Sequence, residues 1–151
     1  MRAVVQLVKE SHITINNKLY SQINRGLLIL LGISINDNDS DIDYIIDKII
    51  NLRVFKDQDD KMNKSILDEK GEILIVSQFT LYGDARKGRR PSYSNAANGK
   101  VAENIYNKFI IKLKERYSYN NINTGLFGAM MEVFLVNDGP VTILLDSEKI
   151  F

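Results

Sequence analysis

The sequence predicts an α+β fold in which strands dominate and two helices cover them. Apolar runs of strand length recur from one end of the chain to the other, and only two segments carry helical spacing. No repeat or linker divides the 151 residues, so one domain over 1–151 is expected. A chain of that length can bury a real hydrophobic core.

Ala3 to Val8 reads as a first strand, and Ser11 to Asn16 as a second, alternating His12, Thr14 and Asn16 against Ile13 and Ile15. Asn16-Asn17 suits a hairpin turn because Asn tolerates positive φ. Leu19 to Ile23 is the return strand. "LLILLGI", Leu27 to Ile33, is a continuous apolar run and therefore a strand buried on both faces. From Ser40 the period changes: Ile42, Ile45, Ile46, Ile49 and Ile50 mark one face of an amphipathic helix, with Ser40 as N-cap and Asp41 and Asp43 in its first turn. "KDQDDKMNKSILDEKGE" reads as a polar loop. The strand Ile73–Val76 follows, then a basic loop, "GDARKGRRPSYSNAANGK". Ala102, Ile105, Phe109 and Leu113 space a second helix ending near Tyr117. "TGLFGAMMEVFLVNDGPVTILLD" supplies two last strands around "NDGP".

Composition narrows the functional classes. Twenty basic and 19 acidic residues give a net charge of +1, so any nucleic-acid contact must come from a local patch. The absence of Cys excludes disulfides, thiolate metal sites and a Cys nucleophile. "MRAVVQLV" is too short, and too soon followed by Lys9 and Glu10, for a signal peptide. No apolar run reaches the ~20 residues of a membrane helix. A cytoplasmic location without membrane association is expected.

Several familiar chemistries are missing. His12 is the single imidazole, and it shares a strand face with Thr14 and Asn16, a solvated position rather than a catalytic one. A Ser-His-Asp arrangement has no support. "DNDSDIDYIIDK" departs from a calcium loop at Ile42 and Lys48. "GDARKGRR" lacks the Lys-Ser/Thr ending of a phosphate loop, and no GxGxxG occurs. No metal and no cofactor is implied.

Three features remain. Ser77, Gln78, Phe79 and Thr80 place polar side chains at the end of a core strand, where they must be hydrogen-bonded or useful. Alternation sets Gln78 and Thr80 on one face and Ser77 and Phe79 on the other, unless the strand breaks. They are either a strand end satisfying nearby backbone or a reaction centre. "NDGPVT", Asn137 to Thr142, is either a turn between Val133–Val136 and Val141–Leu145 or a rigid Gly-Pro corner whose carbonyls point into a site. Arg86, Lys87, Arg89 and Arg90 form the one concentrated basic patch, able to hold a few phosphates.

"SQFTL" and "NDGPVT" together resemble the two signature motifs of the D-aminoacyl-tRNA deacylases. "MRAVVQ", "GLLILLGI", "LRVF", "KMN", "KGRRPSYS" and "TGLFGAMM" extend the resemblance over essentially the whole chain. It implies a β-rich, partly closed barrel with helices on one side, assembled as a homodimer. It implies hydrolysis of the ester joining a D-amino acid, or mischarged glycine, to tRNA, with aminoacylated tRNA rather than DNA as partner. Carried over, Ser77, Gln78, Phe79 and Thr80 line the reaction centre. Gly139 and Pro140, joined by a cis peptide, screen chirality in the partner subunit's pocket. Arg86, Lys87, Arg89 and Arg90 become the tRNA contact. Backbone oxyanion stabilisation and the substrate's own 2′-hydroxyl would replace the missing imidazole, leaving Thr80 a positioning role. One departure stands at Leu7, where the family commonly carries an Arg that helps to hold the Gly-Pro carbonyls. Deacylation is expected to survive it.

Rival readings are a noncatalytic tRNA-binding module using residues 86–90, a structural oligomer with an ordinary Gly-Pro turn, and a deacylase of tRNA mischarged with L-alanine.

Overall fold

The computed structural model describes residues 1–150. Its longest elements are two strands, β1 (Arg2–Ile15) and a C-terminal strand, Glu132–Asp146, that runs antiparallel along it. The two N-terminal strands expected from the sequence are one. Ala3, Val5 and Leu7 bury one set of side chains, whereas Val8, Ser11 and Ile13 are buried after pairing irregularities at Gln6–Val8 and Val8–Glu10. An irregularity of this kind changes which face successive residues take, so the strand continues while its burial pattern shifts.

Asn16 and Asn17 both adopt positive φ, 51° and 60°, and turn β1 into β2 (Lys18–Ile23). β3 (Gly26–Gly32) pairs antiparallel with β1. Helix α1 (Asp39–Asn51) buries Ile42, Ile45, Ile46, Ile49 and Ile50, as the spacing predicts. Its N-cap is Asn38, not Ser40: Asn38 Oδ1 accepts the Ser40 N–H at 2.9 Å, and the Asp41 carboxylate accepts the Asn38 N–H at 2.9 Å. That reciprocal pair satisfies two orphan donors at once, so it wins over a lone serine. Asp39 and Asp41, not Asp43, occupy the first turn.

The segment read as a polar loop holds a short hairpin, β4 (Phe55–Lys56) with β5 (Met62–Lys64), and one helical turn, α2 (Ile66–Glu69). Ser65 caps that turn through a reciprocal bond with Asp68. β6 (Glu72–Ser77) then pairs parallel with β3, and α3 (Gly99–Arg116) buries Ala102, Tyr106, Phe109 and Leu113. β7 (Ile122–Thr124), absent from the sequence reading, adds to β6 in parallel. At three residues it carries no usable period.

The Glu132–Asp146 strand, β8, corrects the reading of "NDGP" as a turn between two strands. Val133 to Val136 pair with β1, and so do Thr142 to Asp146, in the same direction. The motif is an outward excursion within one strand. The sheet order is β2-β1-β3-β6-β7, with β8 on the other edge of β1. Leu27, Ile29, Ile73 and Ile75 pack under α1 and α3, while Leu28, Leu74 and Val76 meet Val8, Ile13 and Val133 on the opposite face. The central strands are buried on both faces, and the sheet nearly closes on itself, the β-rich, barrel-like α+β architecture expected.

Candidate active site

β6 delivers Ser77 to the end of the sheet and then stops. Gln78 leaves extended geometry (φ −143°, ψ 83°), and Phe79–Tyr82 form a 3₁₀ turn. The alternation expected over residues 77–80 therefore fails at Gln78. All four residues line a single cleft of about 770 Å³. Gln78 N–H donates to Leu31 O at 2.7 Å, and its side-chain amide lies against the Thr80 hydroxyl. Gly32 permits this approach: a Cβ there would stand 3.1 Å from Gln78 O and 3.0 Å from Leu81 Cβ. Arg2 holds the far end of the turn, donating to Leu81 O at 3.1 Å and pairing with Asp146 at 2.9 Å.

The first repeating bond of the turn runs from Leu81 N–H to Gln78 O at 3.3 Å. Among the described residues, the Phe79 and Thr80 N–H groups reach no backbone carbonyl. Both residues line the cleft, and two successive N–H groups at the start of a helical turn remain available as donors. The remaining walls are Tyr93, the Ala96–Gly99 approach to α3, and Phe127 to Met131. Phe79 is exposed and meets Tyr93 edge-on at 5.0 Å.

Among the lining residues only Tyr93 has a titratable side chain. No imidazole, carboxylate or ammonium faces Thr80 from those walls. His12 stacks on Phe134 at 4.6 Å and does not line the cleft. Tyr106 lies beneath the site and donates to Ile75 O at 2.9 Å; burial holds its phenol well above its ordinary value. The cleft can therefore bind an apolar or aromatic group and offer hydrogen bonds, but it supplies no charged acid or base.

The basic loop is pinned where Asp84 and Ser92 exchange backbone bonds of 2.8 and 2.9 Å. Arg86 donates two side-chain bonds to the Asp84 carboxylate, at 2.9 and 2.7 Å, which holds that carboxyl well below its ordinary range. Lys87, Arg89 and Arg90 stand exposed beside it. Gly139 and Pro140 are joined by a cis peptide and are exposed. Neither lines the cleft of its own chain. The fold thus brings Ser77 to Thr80 together and leaves the Gly-Pro corner outside.

The D-Tyr-tRNA(Tyr) deacylase family matches residues 4–146. The chain belongs to that family. It is 57% identical over 151 residues, the full length of both chains, to a D-aminoacyl-tRNA deacylase of Clostridioides difficile (strain 630). It is 54% identical, again over both full lengths, to one of Thermosipho melanesiensis. A solved structure described as the c-Myc DNA Unwinding Element Binding Protein superposes with a TM-score of 0.93 at 44% identity, covering 97% of this chain and 98% of that one. Another, described as a probable eukaryotic D-amino acid tRNA deacylase, superposes at 0.79 with 18% identity, covering 95% and 97%. That last likeness is one of fold. Membership makes this deacylase-family chain a hydrolase of ester bonds. No helix of the described residues is long and apolar enough to cross a membrane.

Several residues that build or line the cleft of this family member have no clear signal in the sequence. Gly32, which supports the turn without lining the cleft, sits inside "LLILLGI", where it resembles any strand-end glycine. Tyr93, Asn98 and Gly99 lie in what reads as loop. Met130, exposed between the half-buried Ala129 and Met131, carries the one available signal, a large apolar residue with no periodic place.

Proposed function

We propose that this chain hydrolyses the ester of D-aminoacyl-tRNA, and of tRNA mischarged with glycine, in a homodimer whose active site spans two subunits. The observation that carries this reading is the cleft at Ser77–Thr80, with two backbone donors and no charged side chain. An aminoacyl ester is already activated. Stabilising its tetrahedral oxyanion from Phe79 and Thr80 N–H groups is then sufficient, with the substrate's 2′-hydroxyl assisting attack by water. Ser77 and Gln78 fix the start of this turn. Thr80, whose hydroxyl meets only the Gln78 amide, positions substrate rather than attacking it.

Gly139 and Pro140 act as the chirality screen in the partner's cleft. Their exposure, and their separation from the cleft of their own chain, support a role completed by a second copy. Phe134, Val136 and Leu144, exposed along the outer face of β8, supply apolar surface for that contact. Carbonyl oxygens held beside the α-carbon would exclude an L side chain and accept the ammonium of a D substrate. Lys87, Arg89 and Arg90, with Arg86 as the pinned base of the loop, would take tRNA phosphates.

Incubation of the purified protein with matched D- and L-aminoacyl-tRNA tests this directly. Loss of the D ester with retention of the L ester is expected. A protein that binds both and cleaves neither is a binding module; preferential cleavage of L-alanyl-tRNA supports the rival deacylase.

A further inference from the structure

We propose that Arg25, acting through Asp138, is the positioning residue that aims the Gly139-Pro140 corner in this chain. The inference rests on the reading of that corner as the chirality screen. Pairing between β1 and β8 jumps from Gln6–Thr142 to Val8–Asn137. Asp138 to Val141 therefore stand opposite Leu7 alone, and the Leu7 side chain is buried in the core with no polar atom to offer them. The excursion must be held by other side chains.

Its two ends are held differently. Asn137 secures the outgoing end through Val141 and Thr142. At the incoming end Asp138, the residue before Gly139, accepts from Arg25 Nη1 at 3.2 Å, with Lys9 Nζ at 4.0 Å. Arg25 is well placed for this. Gly26, Val8 and Asn137 lie side by side across β3, β1 and β8, so Arg25 reaches across β1 from a neighbouring register position. Its backbone is fixed, since Arg25 O accepts the Glu72 N–H at 3.1 Å. Its guanidinium lies 5.7 Å from the ring of the fully buried Phe55 and 3.9 Å from Glu69 Oε2. A fork braced on both sides orients Asp138 where a mobile ammonium would not. Half-exposed ion pairs contribute little to folding stability, so the consequence is the direction of the corner.

The test is the ratio of D- to L-aminoacyl-tRNA cleavage, in which the shared tRNA affinity cancels. Arg25→Ala is expected to lower that ratio about three- to tenfold with an unchanged melting temperature. Arg25→Lys should recover part of it. Asp138→Asn should give a similar loss, and combining it with Arg25→Ala should add little, because both break the same ion pair. Raising salt should erode the wild-type ratio toward that of Arg25→Ala. A wild-type ratio in Arg25→Ala, while Gly139→Ala alters it, overturns the clasp and leaves the corner reading intact. If Gly139→Ala also leaves the ratio unchanged, the corner reading fails and this inference with it.

Discussion

Asn137 accepts the Val141 N–H on its Oδ1 at 3.1 Å and donates from Nδ2 to Thr142 Oγ1 at 2.9 Å, closing the excursion of β8 on itself. One side chain thus replaces the ladder bonds that the excursion removes. Asn137→Ala leaves the Val141 N–H without this acceptor, at a cost of ~1–2 kcal/mol. The expected result is a lower urea midpoint in equilibrium unfolding, together with about a tenfold rise in L-ester cleavage relative to D. Asn137→Ala with unaltered stability and selectivity would show that the corner holds itself.

Gly139 and Thr80 make opposite predictions about where function resides. Gly139 adopts φ +116°, a region that favours glycine, and a Cβ there would stand 2.7 Å from Val141 Cγ2. Gly139→Ala must shift the backbone and with it the carbonyls, so a loss of D-ester kcat/KM of about tenfold or more is expected. Thr80→Ala removes a hydroxyl that no base activates, so a loss of only about two- to fivefold is expected. Single-turnover deacylation of D-tyrosyl-tRNA measures both. The reverse order would make Thr80 the nucleophile.

The legible parts of the molecule were those with a period or a signature. Five isoleucines at helical spacing located α1, and "SQFTL" located the cleft wall. The missed parts depend on pairing between distant segments. Nothing within "NDGP" tells a turn from a bulge; the difference lies in β1, which offers partners on both sides of the motif. Gly32 likewise matters only because Gln78 packs on it across the β3–β6 pair. Cap choice failed for a local reason: Asn38 and Ser40 are both good caps, and the Asp41 carboxylate decides between them.

The four basic residues of the loop are not equivalent. Arg86 is committed to Asp84, whereas Lys87, Arg89 and Arg90 extend past that anchor into solvent. Replacing those three by Ala should weaken tRNA binding more than tenfold at moderate salt. The slope of log K against log salt should fall by about one for each phosphate no longer neutralised. Arg86→Ala should change the slope less, because that guanidinium is already neutralised. Filter binding with uncharged tRNA over a salt series distinguishes the two. An equal slope change from Arg86→Ala alone would mean that Asp84 releases it to RNA.

Buried phenols are expected to weaken the fold at alkaline pH. Tyr117 donates to Gly71 O, and burial, the largest cause, pushes its phenol up to about 12. Tyr106 is raised by burial as well. A phenol whose folded pKa exceeds its unfolded value near 10 contributes fully below pH 10 and loses that contribution as pH rises toward the folded value. For each such tyrosine the loss is ~1.4 kcal/mol per pH unit. The urea midpoint should therefore fall steeply between about pH 10 and 12. Tyr106→Phe should be ~1 kcal/mol less stable at pH 8, through loss of the bond to Ile75 O, yet decline more gently above pH 10. The difference between the two proteins, followed by circular dichroism, cancels the titration of exposed lysines. Parallel declines across that window would show that Tyr106 ionises without opposing the fold.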